Sequence, residues 1–333
     1  GTPTQFNATT NPNLDAAIET YTWNFNKTNT LSASIIGTGK TPATTYNAVG
    51  RDSVQLIVKT FANCRDTVQK PIFIVPTFDA INSTTSYEQN FNTNTDGWIN
   101  GGSNSSWQFG LPAGAVISRD SSASGSGNAW VTNRTGLYNP LEKSWVLSRC
   151  FSFETSKPVL AMDIWADTPG GIDGAVLQYN VSGDILNDND WVVVGTVNSG
   201  INWYQQQGIA SKPGNQSQFD YGWSGNREDG RYKSWRHVVH KLDGIGGGGV
   251  VFRIAFSSTN TGTREGFAFD NVFIGERNRN VLVENFTNAT ATDVVTHNQL
   301  FNTLPSGGSS EIIKMQFHTN FPGVDPQNQL FPT

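Results

Sequence analysis

The stretch GVVFRIAFSS, residues 249–258, decides the reading of the larger part of the chain. Phe252, Ile254 and Phe256 fall on one side of an extended segment, and Val251, Arg253 and Ala255 on the other, because side chains alternate along a strand. The same strand-like texture recurs outward from it, in GSGNAWVTN (125–133), SWVLSRCFSF (144–153), VLAMDIWAD (159–167), GAVLQYNVS (174–182) and DWVVVGTV (190–197). Downstream come SWRHVVHKL (234–242) and EGFAFDNVFIGE (265–276). Gly, Asn, Asp and Ser mark the turns between them, and no long 3.6-residue period interrupts. About ten short strands over residues 87–277 predict two packed sheets of the jelly-roll kind.

Residues 1–78 read as a smaller β-domain. YTWNFN (21–26) alternates Tyr21, Trp23 and Phe25 against polar residues, DSVQLIVKT (52–60) alternates Val54, Leu56 and Val58, and KPIFIV (70–75) reads as a last strand. Residues 79–86, in the segment PTFDAINSTTS (76–86), read as a linker. Residues 278–333 change character. VLVEN (281–285) reads as a strand, and Asp293 is a candidate N-cap. His297, Leu300, Phe301 and Leu304 then recur at helical spacing, and Ile313, Met315 and Phe317 alternate along a second strand. Strand, helix and strand in that order begin a parallel α/β unit.

Composition agrees. Of 333 residues only 15% are charged, and 34 are glycine, which suits a mainly β surface protein. The net charge of −5 and the lack of a basic patch argue against a nucleic-acid partner. No apolar run reaches the ~18–20 residues that span a membrane. Cys64 and Cys150 fall in different candidate domains without metal-type spacing, so both are expected as free, buried thiols.

Three resemblances follow from these residues. YTWNF, TYNAVGRDSVQLIV and CRDTVQKPIFIV (within 15–76) resemble a PKD domain of the kind found in Bacteroidetes surface proteins; NKTNTLSAS stands where a Gly-Asp-Gly turn is usual. YEQNF…GW, ASGSGNAW, GWSG…SWRHVVHKL and FRIAFSS…EGFAFDNVFI resemble MAM-like and carbohydrate-binding-module-like jelly rolls over residues 87–277. VLVENFTNA…HNQLFNTL…IIKMQFHTNFPGVDP resembles the thioredoxin-like domain of Bacteroidetes outer-membrane and secreted proteins. Where that family's Cys-x-x-Cys would fall, this chain has Ala291, Thr292, Asp293 and Val294, so thiol–disulfide exchange has no chemical basis there. The segment covers about half such a fold, and the protein is expected to continue beyond residue 333.

The jelly-roll resemblance implies a structural calcium site, with Glu88 and Asp270 as carboxylates and Ser126 and Asn128 in the adjoining turn. Separately, NWYQQQ (202–207) and FDYGWSGNREDGRYKSW (219–235) mix aromatic with polar side chains, the material of a sugar platform. Trp203, Tyr204 and Trp223 are the candidate ligand contacts, whereas Trp235 sits in a strand pattern and reads as core. Catalytic residues are not expected. No H-E-x-x-H, G-x-S-x-G or P-loop pattern is present, and His237 and His240 point to opposite faces of a strand. The triplets at Asn82, Asn133 and Asn288 match N-glycosylation acceptors and suggest surface positions.

The expected function is non-catalytic adhesion, or recognition of a glycan or protein at the cell surface. One alternative is a structural component of a surface or secretion assembly. Another is an accessory region of a secreted hydrolase. The resemblances imply an extracellular or outer-membrane-associated protein exported by the type IX pathway.

Overall fold

The computed structural model describes residues 3–10, 15–27, 36–118, 127–277, 281–304, 312–321 and 323–330. The chain divides into two compact units, Gly1–Glu276 and Arg277–Thr333.

The first unit opens with β1 (Thr4–Gln5), β2 (Ile18–Asn24), β3 (Ile36–Thr38), β4 (Ala43–Thr44), β5 (Gly50–Thr60) and β6 (Arg65–Ile74). Four of these form an antiparallel sheet in the order β3-β2-β5-β6, and β1 pairs with β4. The alternating residues do what their period dictates: Trp23 and Phe25 from β2 and its end meet Val54 and Leu56 of β5 around Tyr46, whose hydroxyl donates to the Phe25 carbonyl at 2.9 Å.

Next come β7 (Thr77–Ile81), β8 (Tyr87–Gln89), β9 (Ile99–Ser103), β10 (Trp107–Gly110), β11 (Ala129–Thr132) and β12 (Lys143–Phe153). They are followed by β13 (Pro158–Asp167), β14 (Gly174–Asn180), β15 (Val192–Val193), β16 (Arg236–Lys241), β17 (Gly247–Ser257) and β18 (Gly266–Glu276). Two six-stranded sheets result. One runs β10-β11-β18-β13-β16, with β8 also on β18; the other runs β15-β14-β17-β12-β7, with β9 also on β12. Their inner faces share one core, to which β17 contributes Phe252, Ile254 and Phe256 and β13 contributes Leu160, Met162 and Ile164. The alternation read in residues 249–258 is thus the sandwich's own inside and outside.

Strand β18 changes parity midway. Phe267 and Phe269 face the core, and then Val272 and Ile274 do, because Asn271 adopts a left-handed conformation (φ 49°) where the pairing with β13 slips by one residue. The bulge keeps both halves of the strand facing inward.

Two expectations are corrected here. The linker expected at 79–86 begins inside a strand: β7 runs parallel to β12, with Phe78 opposite Phe151 and Ile81 opposite Phe153, and Ile81 is fully buried. The flanking Pro76 and the polar run after residue 82 masked two apolar residues that need cover. Neither cysteine is in a disulfide, but against the expected burial Cys64 is exposed and Cys150 half-buried.

The second unit holds β19 (Val281–Thr287), α1 (Val294–Thr303), β20 (Ile312–His318) and α2 (Pro326–Leu330). β19 and β20 pair in parallel, Val281 opposite Ile312 through Thr287 opposite His318, with α1 between them in sequence. The amphipathic face expected for the helix is only partly met. Phe301 is buried, but Leu300 is 68% exposed and the His297 side chain is open. The covered side runs through Asn298, which bonds Asn285 and Gln316, while Lys314 donates to the carbonyls of Phe301 and Leu304 and so caps the helix end. Asp293 stands at the N-cap position without a side-chain capping bond. Leu282, Phe286, Ile313 and Met315 lie exposed.

Around the turn that lacks cysteines, Asn288 is buried and donates to the carbonyls of Thr319 and Gly323, so its amide is not open to glycosylation. Asp325, also buried, accepts from the backbone amides of Ala289 (2.7 Å) and Gln327 (2.7 Å), and lies 3.0 Å from His318 Nδ1. Burial pushes its pKa up, but these hydrogen bonds outweigh burial and lower it to about 2. Because the folded value is depressed below the unfolded ~3.9, the stabilisation is present above pH ~4 and is lost as pH falls through about 2. Hydrogen exchange of the Ala289 and Gln327 amides should therefore accelerate, relative to intrinsic rates, between pH 4 and 2. In Asp325→Asn the relative rates should not change across that window; an unchanged profile in the parent protein would refute the linkage.

Candidate functional site

The outward residues of the β9-β12-β17-β14 face build the site. The pairing sets three rows across the strands. Ile99, Leu147, Arg253 and Gln178 form one; Gly101, Trp145, Ala255 and Val176 the next; Ser103, Lys143, Ser257 and Gly174 the third. Over the first row lies a small second core, in which Trp191 packs with Leu147 and Val251, flanked by Ile185 and Val75. Phe73 of β6 meets the Trp145 ring edge-on at 5.6 Å.

The middle row leaves a depression. Ala255 is short, and Gly101 has no side chain where the Trp145 ring lies; a Cβ there would come within 2.4 Å of that ring. The resulting groove, about 240 Å3, is lined by Gly102, Ser103, Lys143, Trp145, Ala255 and Arg253, with Asp188, Gly214 and Asn215 opposite. It is smaller than the ~300–1,000 Å3 of pockets that enclose drug-sized ligands, which suits one ring and its substituents.

The polar side of the groove is held rigidly. Arg253, 3% exposed, lies 4.2 Å from the Trp191 ring and donates to Gln178 Oε1 (2.8 Å), Asp188 Oδ1 (3.0 Å) and the Gly214 carbonyl (3.4 Å). Burial lowers its pKa to about 10, with Asp188 opposing the shift. Asn215 donates to the other Asp188 oxygen at 2.8 Å. Lys143 donates through Nζ to the carbonyls of Ser211 and Lys212, and burial lowers its pKa too. The arrangement sets an indole ring beside fixed donors and acceptors.

None of this groove was singled out in the sequence, and the residues that were lie elsewhere. Trp203, Tyr204 and Trp223 are brought together, but in the core, each with no solvent exposure. Ring centroids stand 5.0 Å apart for Trp203 and Trp223 and 4.7 Å apart for Tyr204 and Trp223. The Trp203 indole donates to the Val194 carbonyl, and the Tyr204 hydroxyl bonds the Leu177 backbone. These aromatic loop segments fold inward and cap the sandwich, so the sugar platform expected of them is corrected to a structural role. Trp235 is half-buried and packs edge-on against Trp165.

The residues expected to ligate calcium are placed as follows. Glu88 is exposed and stands opposite Phe273, Asn128 donates its amide to the Asn92 carbonyl, and Ser126 lies outside the described residues. Asp270 is fully buried, and its cross-strand neighbour is Asp163 on β13. Asp163 in turn lies 2.8 Å from His237 Nδ1 and accepts from Asn271 at 2.7 Å. Among the described residues no three His, Cys, Asp or Glu side chains converge on a metal position. The sign of Asp163 in the sequence was a lone acid inside the apolar run VLAMDIWA.

No family model and no curated protein matches the chain. Solved structures do. A carbohydrate-binding module of the β-sandwich superfamily is 13% identical with a TM-score of 0.35, covering 83% of this chain and 92% of its own. The K1 cleaved adhesin domain of Lys-gingipain from Porphyromonas gingivalis W83 is 11% identical with a TM-score of 0.33, covering 58% and 99%. A family 6 carbohydrate-binding module is 10% identical with a TM-score of 0.30, covering 60% and 97%.

Proposed function

We propose that this chain is a non-catalytic recognition module that binds a glycan in the groove over Ala255. The observation that carries the reading is the groove's make-up: the Trp145 ring beside Arg253, Asp188 and Asn215, whose hydrogen bonds fix them in place. Sugar rings stack their C–H faces on aromatic rings and present hydroxyls to fixed polar groups. In this reading residues 1–78 are a PKD-like spacer, residues 87–277 a MAM-like jelly roll, and the last segment a thioredoxin-like unit without redox thiols, all outside the cell. No helix among the described residues is long and apolar enough to cross a membrane. A structural calcium ion, with Glu88, Ser126, Asn128 and Asp270 as its candidate ligands, belongs to the same reading; its support is the oxygen chemistry of those side chains.

The test is a glycan array with the parent protein and Ala255→Phe, each with calcium and again with EDTA. Filling the groove should weaken sugar binding about tenfold or more, in a protein whose melting midpoint is lowered by overpacking at buried Ala255 but which stays folded at the assay temperature. Chelation should lower that midpoint in both proteins. A blank array for a folded parent protein would refute the glycan reading. The second reading, a component of a surface assembly, is favoured by the exposed apolar residues Leu282, Phe286, Ile313 and Met315 of the second unit and would then lead.

A further inference from the structure

Lys143 stands at one end of the groove in an unusual state for an ammonium. Its side chain is half-buried, and burial depresses its pKa. Its amine is held by two backbone carbonyls, of Ser211 and Lys212, and no carboxylate lies within ion-pair distance of it among the described residues. The nearby acids are Asp188, already bonded to Arg253 and Asn215, and Asp220, which acts on Lys143 only at longer range. Lys212 adds a second positive charge, while Arg253 supplies a third that Asp188 balances. An ammonium carries three donors, so one remains after the two carbonyls are served.

A half-buried charge without a counter-ion is costly, and the cost is relieved when an anion arrives. The carbonyls fix the amine without neutralising it, and Lys143 and Trp145 both line the groove. We infer that the groove's ligand is an acidic sugar, with its ring on Trp145 and a carboxylate or sulfate substituent received by Lys143. This inference rests on the glycan reading of the groove and deepens it to a chemical class. A sugar is favoured over an acidic peptide because the space holds one ring beside an aromatic face, with hydroxyl partners at Asp188 and Asn215.

The experiment is titration calorimetry of the whole chain with trigalacturonate, a sulfated galactose trisaccharide, neutral galactotriose and a short polyglutamate peptide. The variants are Lys143→Met, Lys143→Arg and Ala255→Phe, each checked by its melting midpoint to be folded at the assay temperature; overpacking at buried Ala255 should lower the midpoint of the last. At least one acidic sugar should bind about tenfold or more tighter than galactotriose, as charge-assisted hydrogen bonds warrant. Lys143→Met should erase that preference, and Lys143→Arg should keep it. The carboxylated and sulfated arms separate the two sources of charge. Equal binding of neutral and acidic sugars, lost in Ala255→Phe but not in Lys143→Met, would overturn the anion inference and leave the groove intact. Polyglutamate binding as tightly as the acidic sugars would overturn it in favour of a peptide. No sugar binding by the folded chain would overturn both.

Discussion

Trp223→Ala is expected to destabilise the first unit by about 3–5 kcal/mol. The side chain is fully buried, packed against Trp203, Tyr204 and Phe267, with centroid distances of 5.0, 4.7 and 5.7 Å. Its backbone also pairs with Ala175 of β14, so collapse around the hole would disturb the sheet edge and leave much of the cavity open. The indole nitrogen is buried without a hydrogen-bond partner, so Trp223→Phe gives up volume but no hydrogen bond. It should cost about 1–2 kcal/mol. Denaturant midpoints of the three proteins, at constant m-value, measure this. A stable Trp223→Ala protein would mean that the ring is not where the packing puts it. Any loss of ligand binding in this variant should track loss of fold, unlike the loss expected of Ala255→Phe.

A second large effect is expected at Glu265, at the start of the loop-to-strand entry into β18. Its carboxylate accepts from three successive backbone amides, Ala115 at 2.7 Å, Val116 at 2.9 Å and Ile117 at 2.6 Å. Three amides turned toward one anion form a nest. Gly114 permits the approach, because a Cβ there would stand 2.2 Å from the carboxylate. Glu265→Ala leaves these donors without their acceptor, and the Ile117 amide lies where water does not reach easily. The cost should be about 2–4 kcal/mol, with Glu265→Gln losing less. The readout is chemical denaturation together with hydrogen exchange at residues 115–117, where protection should fall first. Unchanged protection in Glu265→Ala would refute the nest.

Much of the sandwich was legible because its strands carry their period openly. Phe252, Ile254 and Phe256 turn inward, as do Trp23 and Phe25 in the first sheet. The site was not legible, for two reasons. Aromatic residues in loops, such as Trp203 and Trp223, look like surface contacts until the loops are seen to fold back over the core. The groove, conversely, gathers Lys143 and Trp145 from one strand, Arg253 and Ala255 from another, and Asp188 and Asn215 from two loops, and only the register brings them together. One signal was present: Arg253 shares its face with Val251 and Ala255, which is too apolar for a face left wholly to water. The role of residues 77–81 was missed because one buried residue, Ile81, and one half-buried, Phe78, are too few to show a period.

The alternation along β17 has a consequence for how this module can change. Phe252 and Ile254 hold the two sheets together, Arg253 borders the groove, and Ala255 and Phe256 belong to both. Stability and ligand choice therefore meet at Ala255 and Phe256 and part at the residues on either side. Drift at exposed Ser103 and half-buried Lys143, outside the core, can redirect recognition while the packing beneath stays unaltered. A lineage or a laboratory library could diversify those positions widely and still draw folded proteins, provided that Arg253, tied to Gln178 and Asp188, is left alone.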